Sequence, residues 1–107
     1  MKAEIPSGLS LENIERYLDN RTKDFSGLLA AVEAHDKGGI RGLAHRIKGN
    51  AALYGMPELG LAAGRVVEAV DSEDWADVSL QVDAMLARLE VERRRFSDGA
   101  PSEGTPS

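Results

Sequence analysis

Residues 40–57 read IRGLAHRIKGNAALYGMP, and this stretch is the most informative part of the chain. Its apolar residues recur at intervals of three and four, as they do on one face of an α-helix. Gly55 is suited to the left-handed conformation that ends many helices, and Pro57 is suited to the first turn of the next one. We therefore predict a helix that ends near Tyr54 and another that begins at Pro57.

The same periodicity continues along the rest of the chain, without the strict alternation that is typical of a strand. It predicts five helices, at about residues 10–20, 23–35, 37–54, 57–70 and 72–95. Ser10 and Ser72 are the expected N-caps of the first and the fifth helix. Because the connections are short, neighbouring helices should run antiparallel, and we predict an all-α, up-and-down bundle.

The composition is that of a single small domain. The chain has 107 residues, of which 42% are hydrophobic and 29% are charged, as in an ordinary globular protein. We expect one helical domain over residues 1–97. Residues 98–107 read DGAPSEGTPS and have little to bury, so we expect a disordered tail there.

Charge, cysteine content and hydropathy exclude several classes of protein. The formal net charge is −5, which argues against nucleic-acid binding, since phosphate contacts need clustered Lys and Arg. Without cysteine, the chain cannot form a disulfide or a Cys-ligated metal site. It has no apolar run of about 20 residues to span a membrane and no signal-peptide core. We therefore expect a cytoplasmic protein that does not bind membranes.

The helix predicted over residues 37–54 has two contrasting faces. One face is apolar and consists of Ile40, Leu43, Ile47, Ala51 and Tyr54. The opposite face carries small residues, cations and a histidine, namely Gly38, Arg41, Gly42, His45, Lys48, Gly49 and Ala52. A solvated helix face is usually built from good helix formers, whereas each glycine weakens a helix by about 1 kcal/mol relative to alanine. The composition of this face is therefore not explained by solvation alone, and we expect it to have a functional role.

His45 is the candidate reactive residue on this face. Neutral imidazole is a good nucleophile near pH 7, because its unperturbed pKa is about 6.5. Gly42 and Gly49 leave the ring open to a bulky partner, and Lys48, one turn further on, can place an ammonium group beside the ring nitrogen. Such a histidine is suited to accept a phosphoryl group. The alternative is an incidental surface histidine, with Lys48 as an ordinary solvating side chain.

Residues 45–55, HRIKGNAALYG, resemble the signature of histidine-containing phosphotransfer (Hpt) domains. That signature is His, two variable residues, Lys-Gly, a run of small residues and a second Gly ten residues after the His. The similarity extends over roughly residues 22–96. Two positions differ from many members of the family: Asn50 stands in place of Ser, and Val67, next to Glu68, stands in place of Gln or Glu on the following helix.

The resemblance implies a fold, a function and a set of site residues. The implied fold is an up-and-down four-helix bundle with an additional N-terminal helix. The implied function is that of a phosphoryl carrier in a multistep phosphorelay. Such a carrier is not a turnover enzyme. His45 is the implied phosphoacceptor, Lys48 stabilises the phosphoryl group, and Gly49 keeps the approach open. No cofactor or metal is expected on this chain, and Mg²⁺ is expected on the receiver partner.

The implied partners are response-regulator receiver domains and a hybrid histidine kinase, and the chain itself is expected to be a monomer. The residues expected to contact a partner surround the histidine and are Arg41, Gly42, Ala44, Arg46, Ala52 and Leu53. Two alternatives stay open. One is a helical adaptor that binds a signalling protein without phosphorylation, and the other is a phosphotransfer domain that is part of a larger kinase.

Overall fold

Four α-helices and one short 3₁₀ helix make up residues 5–98, the part of the chain that the structure, a computed structural model, describes. They are α1 (Leu11–Glu33), α2 (Lys37–Asn50), η1 (Ala51–Tyr54), α3 (Pro57–Asp71) and α4 (Trp75–Asp98). Turns of a few residues join consecutive helices, and α4 packs against both α1 and α3, which closes the bundle. The prediction of an all-α, up-and-down four-helix bundle is confirmed.

The additional N-terminal helix is not a separate element of residues 5–98. The helices predicted at 10–20 and 23–35 are one continuous helix, α1. No Gly or Pro lies between them, and the Thr22 hydroxyl donates to the Leu18 carbonyl at 2.9 Å within the uninterrupted helix. Leu18 and Phe25, two turns apart, are both buried. One continuous helix can therefore bury the whole apolar stripe.

Three helix ends follow the sequence prediction. The Ser10 hydroxyl accepts a hydrogen bond from the Asn13 N–H at 3.1 Å, and the Asn13 side chain accepts one from the Ser10 N–H in return. Gly55 has φ +80°, the left-handed conformation expected of it. Pro57 is the first residue of α3. These residues fix where α1 begins and where the chain turns into α3.

Two predicted boundaries differ from the structure. The helix expected to end near Tyr54 ends at Asn50 as an α-helix, and the next turn is the tighter 3₁₀ helix η1. Ser72 does not cap α4, because Glu73 turns the chain with φ +56° before that helix starts. Asp74 is the cap instead, and its carboxylate accepts a hydrogen bond at 3.2 Å from the N–H three residues later.

The core runs along the whole bundle and takes apolar side chains from every α-helix. Its largest members with at most 2% of their surface exposed include Ile14, Leu28, Ile40, Ile47, Leu59, Val66, Met85, Leu89 and Phe96. The three- and four-residue spacing seen in the sequence is the spacing of these buried positions. The core therefore sets how each helix is rotated about its own axis.

The expected tail, residues 98–107, begins at the last residue of α4. Residues 99–107 lie outside the described part of the chain, together with residues 1–4. The boundary of the domain therefore stays a prediction. None of the helices within residues 5–98 has the length and apolar character that a transmembrane segment requires.

One charged residue, Glu92, is buried in the core, with 1% of its surface exposed. Arg88 Nε and Arg95 Nε each lie 2.8 Å from one of its two carboxylate oxygens. Arg95 also donates a hydrogen bond to the Gly55 carbonyl at 2.7 Å. This network ties the last turns of α4 to the turn between η1 and α3, close to the end of the helix that carries His45.

Glu92→Gln is expected to lower the free energy of unfolding by about 1–3 kcal/mol, because a neutral amide cannot satisfy both guanidinium groups. Urea unfolding followed by circular dichroism measures the change. Glu90→Gln is the matched control: Glu90 is exposed on the same helix, and its substitution should stay within about 0.5 kcal/mol. Equal losses in the two variants would contradict the stabilising role of this network.

Candidate functional site

The imidazole of His45 lies on the outer surface of α2. Ile40, Ala44 and Ile47 of the same helix are at most 1% exposed, and together they fix the rotation of α2 about its axis. His45 lies on the other side of the helix and is exposed. Its ring forms no hydrogen bond within residues 5–98. Solvent or a partner can therefore reach the ring nitrogens.

Lys48 lies one turn after His45, and its aliphatic stem rests on α3. A Cβ atom at Gly64 would lie 3.7 Å from Lys48 Cδ and 3.8 Å from Lys48 Cε, so a side chain larger than alanine there would displace the stem. A Cβ atom at Gly60 would lie 3.5 Å from the Lys48 carbonyl oxygen, which shows how closely α2 and α3 approach. Gly64 therefore leaves room for the Lys48 stem, whereas Gly60 lies where the two helices meet. Sequence reasoning missed both glycines, although their spacing of four residues in a helix was a usable signal.

Gly42 and Gly49 are both exposed on α2, on the face that carries His45. A Cβ atom at either position would meet no other atom within 4 Å, apart from the neighbouring backbone of the helix itself. Helix packing within residues 5–98 therefore does not require glycine at either place. The space beside the imidazole is open, as the sequence pattern predicts.

A shallow groove of about 550 Å³ opens between α2, η1 and α3, beside Lys48. It is lined by Lys48, Ala52, Pro57, Gly60, Leu61, Gly64, Arg65 and Glu68. Leu61, which is not among the site residues predicted from the sequence, is 55% exposed there. Val67 is buried in the core instead, so it cannot orient His45, whereas the neighbouring Glu68 is exposed at the groove. The surface beside Lys48 is thus part apolar and part charged.

Four of the residues expected to contact a partner are exposed: Gly42, Arg46, Ala52 and Leu53. Arg41 is also exposed, and its guanidinium forms an ion pair with Asp71 at 2.8 Å. The expectation for Ala44 is wrong, because this residue is fully buried. It lies four residues after Ile40 and three before Ile47, so it belongs to the apolar stripe of α2 and contributes to the core.

Comparison with known proteins decides the family. The family model of the Hpt domain matches residues 12–92, which is most of the chain and includes His45, Lys48 and Gly49. The chain belongs to the Hpt domain family. No curated protein and no solved structure matched the chain. Hpt domains carry out histidine phosphotransfer in phosphorelays, as carriers that interact with receiver domains and kinases.

Asn50, which stands where many Hpt domains have Ser, joins α2 to α1. Its side-chain oxygen accepts a hydrogen bond from the Tyr17 hydroxyl. The Tyr17 ring stacks on Tyr54, with ring centroids 4.1 Å apart. Burial raises the pKa of the Tyr17 hydroxyl, so this group stays protonated and can donate at neutral pH. Asn50 therefore helps to hold the C-terminal end of α2 against α1.

His35, the second histidine of this Hpt domain, is part of the turn between α1 and α2. It has φ +52°, and its ring stacks on Trp75 with centroids 4.3 Å apart and planes 6° apart. One face of the ring is therefore covered by the first residue of α4. Within residues 5–98, no group of three or more His, Asp or Glu residues is placed to bind a metal ion.

Gly42→Ala is expected to raise the free energy of unfolding by about 0.5–1 kcal/mol, because the added methyl group meets open space and alanine favours a helix. Gly55→Ala, the same change at φ +80°, should lower it by about 1–2 kcal/mol. Chemical denaturation of both variants measures the difference. A loss of stability in Gly42→Ala would show that the fold itself needs glycine on this face.

Proposed function

We propose that this Hpt domain accepts a phosphoryl group on His45 from the aspartyl phosphate of one receiver domain and passes it to the aspartate of a second. The observation that carries the proposal is the exposed imidazole, beside a lysine whose stem is held by α3. A hybrid histidine kinase is the proposed source of the phosphoryl group that enters the relay. In this role the chain is a carrier, since it turns over no substrate by itself.

The transfer forms one bond and breaks one bond. The lone pair of Nε2 of neutral His45 attacks phosphorus, and the P–O bond to the aspartate breaks, so that the carboxylate leaves with its electron pair. The proton that neutral imidazole carries on Nδ1 stays on the ring until solvent removes it. The second transfer reverses these steps on another carboxylate. Because the transferred group is metaphosphate-like, positioning and charge matter more than a protein base.

Lys48 and Gly49 have complementary roles in this proposal. The Lys48 ammonium offsets the negative charge of the phosphoryl oxygens, and the contact of its stem with Gly64 limits where the ammonium can lie. Gly49 leaves the approach to the ring open, because no side chain projects there. Both residues lie within one turn of His45 on α2.

The proposed docking surface surrounds the histidine. It combines the exposed residues Gly42, Arg46, Ala52 and Leu53 with the groove between α2 and α3. The apolar side chains can pack on a helix of the receiver, and the cations suit the acidic, Mg²⁺-binding pocket of such a domain. The divalent ion belongs to the receiver in this scheme, and this chain needs neither metal nor cofactor. We expect the domain to act as a monomer in the cytoplasm.

His45→Gln should abolish phosphorylation, because glutamine has a similar size but no nucleophilic ring nitrogen. The measurement is incubation with a candidate kinase, a receiver domain and labelled ATP, followed by detection of acid-labile, alkali-stable phosphate on the chain. His35→Gln is the matched control and should be labelled like the wild type. Labelling of His45→Gln at the wild-type level would refute the assignment of the acceptor. Receiver binding without any labelling of the wild type would favour the adaptor function instead.

Lys48→Ala is expected to slow phosphoryl transfer about 10–100-fold, since one positive charge at the transferring group is lost, while the fold stays intact. Rapid-quench kinetics with a phosphorylated receiver measures the rate, and circular dichroism checks the fold. Lys23→Ala removes the same charge from an exposed position on α1 and should leave the rate unchanged. Equal rates for Lys48→Ala and Lys23→Ala would remove the proposed role of Lys48.

A further inference from the structure

A second cation, Arg41, lies on the same side of α2 as His45. The two residues are four positions apart, so their side chains are neighbours on the helix surface. Lys48 lies one turn after the histidine and Arg41 lies one turn before it. The imidazole is therefore placed between two cationic residues along the helix axis.

Arg41 differs from Lys48 because its charge already has a partner. Its Nε donates to Asp71 Oδ1 at 2.8 Å, and its terminal nitrogen donates to Oδ2 at 3.3 Å. Asp71 is the last residue of α3. The hydrogen bond from Arg41 lowers the pKa of the Asp71 carboxyl, so this group is ionised at neutral pH. In the unphosphorylated protein, a two-point contact thus draws the guanidinium toward the end of α3.

This contact is easily exchanged for a stronger one. The side chains of Arg41 and Asp71 are 46% and 48% exposed, and ion pairs at such exposure contribute little to stability. A phosphoryl group carries a charge of about −1.5 to −2 and several acceptor oxygens, against a single charge on Asp71. A guanidinium binds such oxygens in a forked geometry, which makes phosphate a better partner than a solvated carboxylate.

We propose that Arg41 is a second cation for phosphorylated His45 and that Asp71 holds it in place until the phosphoryl group arrives. The inference rests on the proposed function, since it requires phosphorylation of His45. Asp71 is a positioning residue in this scheme: it competes with the phosphoryl group for Arg41. Phosphorylation breaks the Arg41–Asp71 pair, so the contact between α2 and the end of α3 differs between the two states of the protein.

The experiment phosphorylates the full chain with potassium phosphoramidate and follows the phosphohistidine signal by ³¹P NMR as the pH is changed. A cation beside the phosphoryl group favours its dianion and lowers the pKa of that group. Arg41→Gln should therefore raise this pKa by about half a pH unit, and Asp71→Asn should lower it by a similar amount. In the double variant, Asp71→Asn should add nothing to the effect of Arg41→Gln. The ¹⁵Nε signal of Arg41 should also move when the wild type is phosphorylated.

Asp19→Asn is the matched control. It removes one negative charge from another exposed ion pair with an arginine, in which Asp19 of α1 lies 3.7 Å from Arg93 of α4. Because neither helix carries His45 or Arg41, the phosphoryl titration should stay at the wild-type value. An unchanged titration in Arg41→Gln, or an effect of Asp71→Asn that persists in the double variant, overturns the inference. Because potassium phosphoramidate reacts with any accessible imidazole, the signal that is followed is the one absent from His45→Gln. If the wild type shows no such signal, the proposed function and this inference are both overturned.

Discussion

The packing of α2 on α3 determines which face of α2 is presented to solvent. At Gly60 the two backbones are in van der Waals contact, since a Cβ atom there would lie 3.5 Å from the Lys48 carbonyl oxygen. Burial of Ile40 and Ile47 then leaves α2 a single orientation about its axis. Any rotation that covered His45 would expose this apolar stripe to water. The accessibility of the histidine is therefore a consequence of how the core is filled.

Several contacts near the ends of the helices keep that orientation. The Tyr17 hydroxyl holds Asn50 at the end of α2. Arg95, which is paired with the buried Glu92, holds the Gly55 carbonyl in the following turn. On the face of α2 around His45, the contacts with another helix within residues 5–98 are the exposed Arg41–Asp71 ion pair and the Lys48 stem on α3. The glycines of this face lower the helix propensity of α2. Stability is thus supplied mainly at the helix ends and in the core, while the His45 ring stays uncovered.

Local patterns were enough to predict the elements that depend on local physics. The apolar spacing of residues 40–54, the left-handed Gly55 and Pro57 at a helix start are set by neighbours in the sequence. The same patterns predicted that His45 lies on the solvent-exposed face of its helix. The start of α4 was less predictable from local patterns. Ser72 and Asp74 are both good N-caps, and only the turn at Glu73 decides between them.

Features that join distant parts of the chain could not be predicted in this way. The pairing of Arg41 with Asp71 spans 30 residues, and the contact of Lys48 with Gly64 depends on how two helices meet. The prediction that Ala44 contacts a partner is wrong for a simpler reason. Alanine is compatible with both a surface and a core, so its size carries no signal, and the neighbouring stripe of Ile40 and Ile47 was the better guide.

The proposed carrier function requires an open imidazole at His45 that holds the phosphoryl group at Nε2. The decisive measurement is a two-bond ¹H–¹⁵N correlation spectrum of the histidine rings, recorded on the ¹⁵N-labelled chain before and after incubation with a phosphorylated receiver domain. Nε2 of His45 is expected to change its shift upon phosphorylation, whereas the ring of His35 keeps its signals. Phosphate on the chain with unchanged His45 signals would refute His45 as the acceptor.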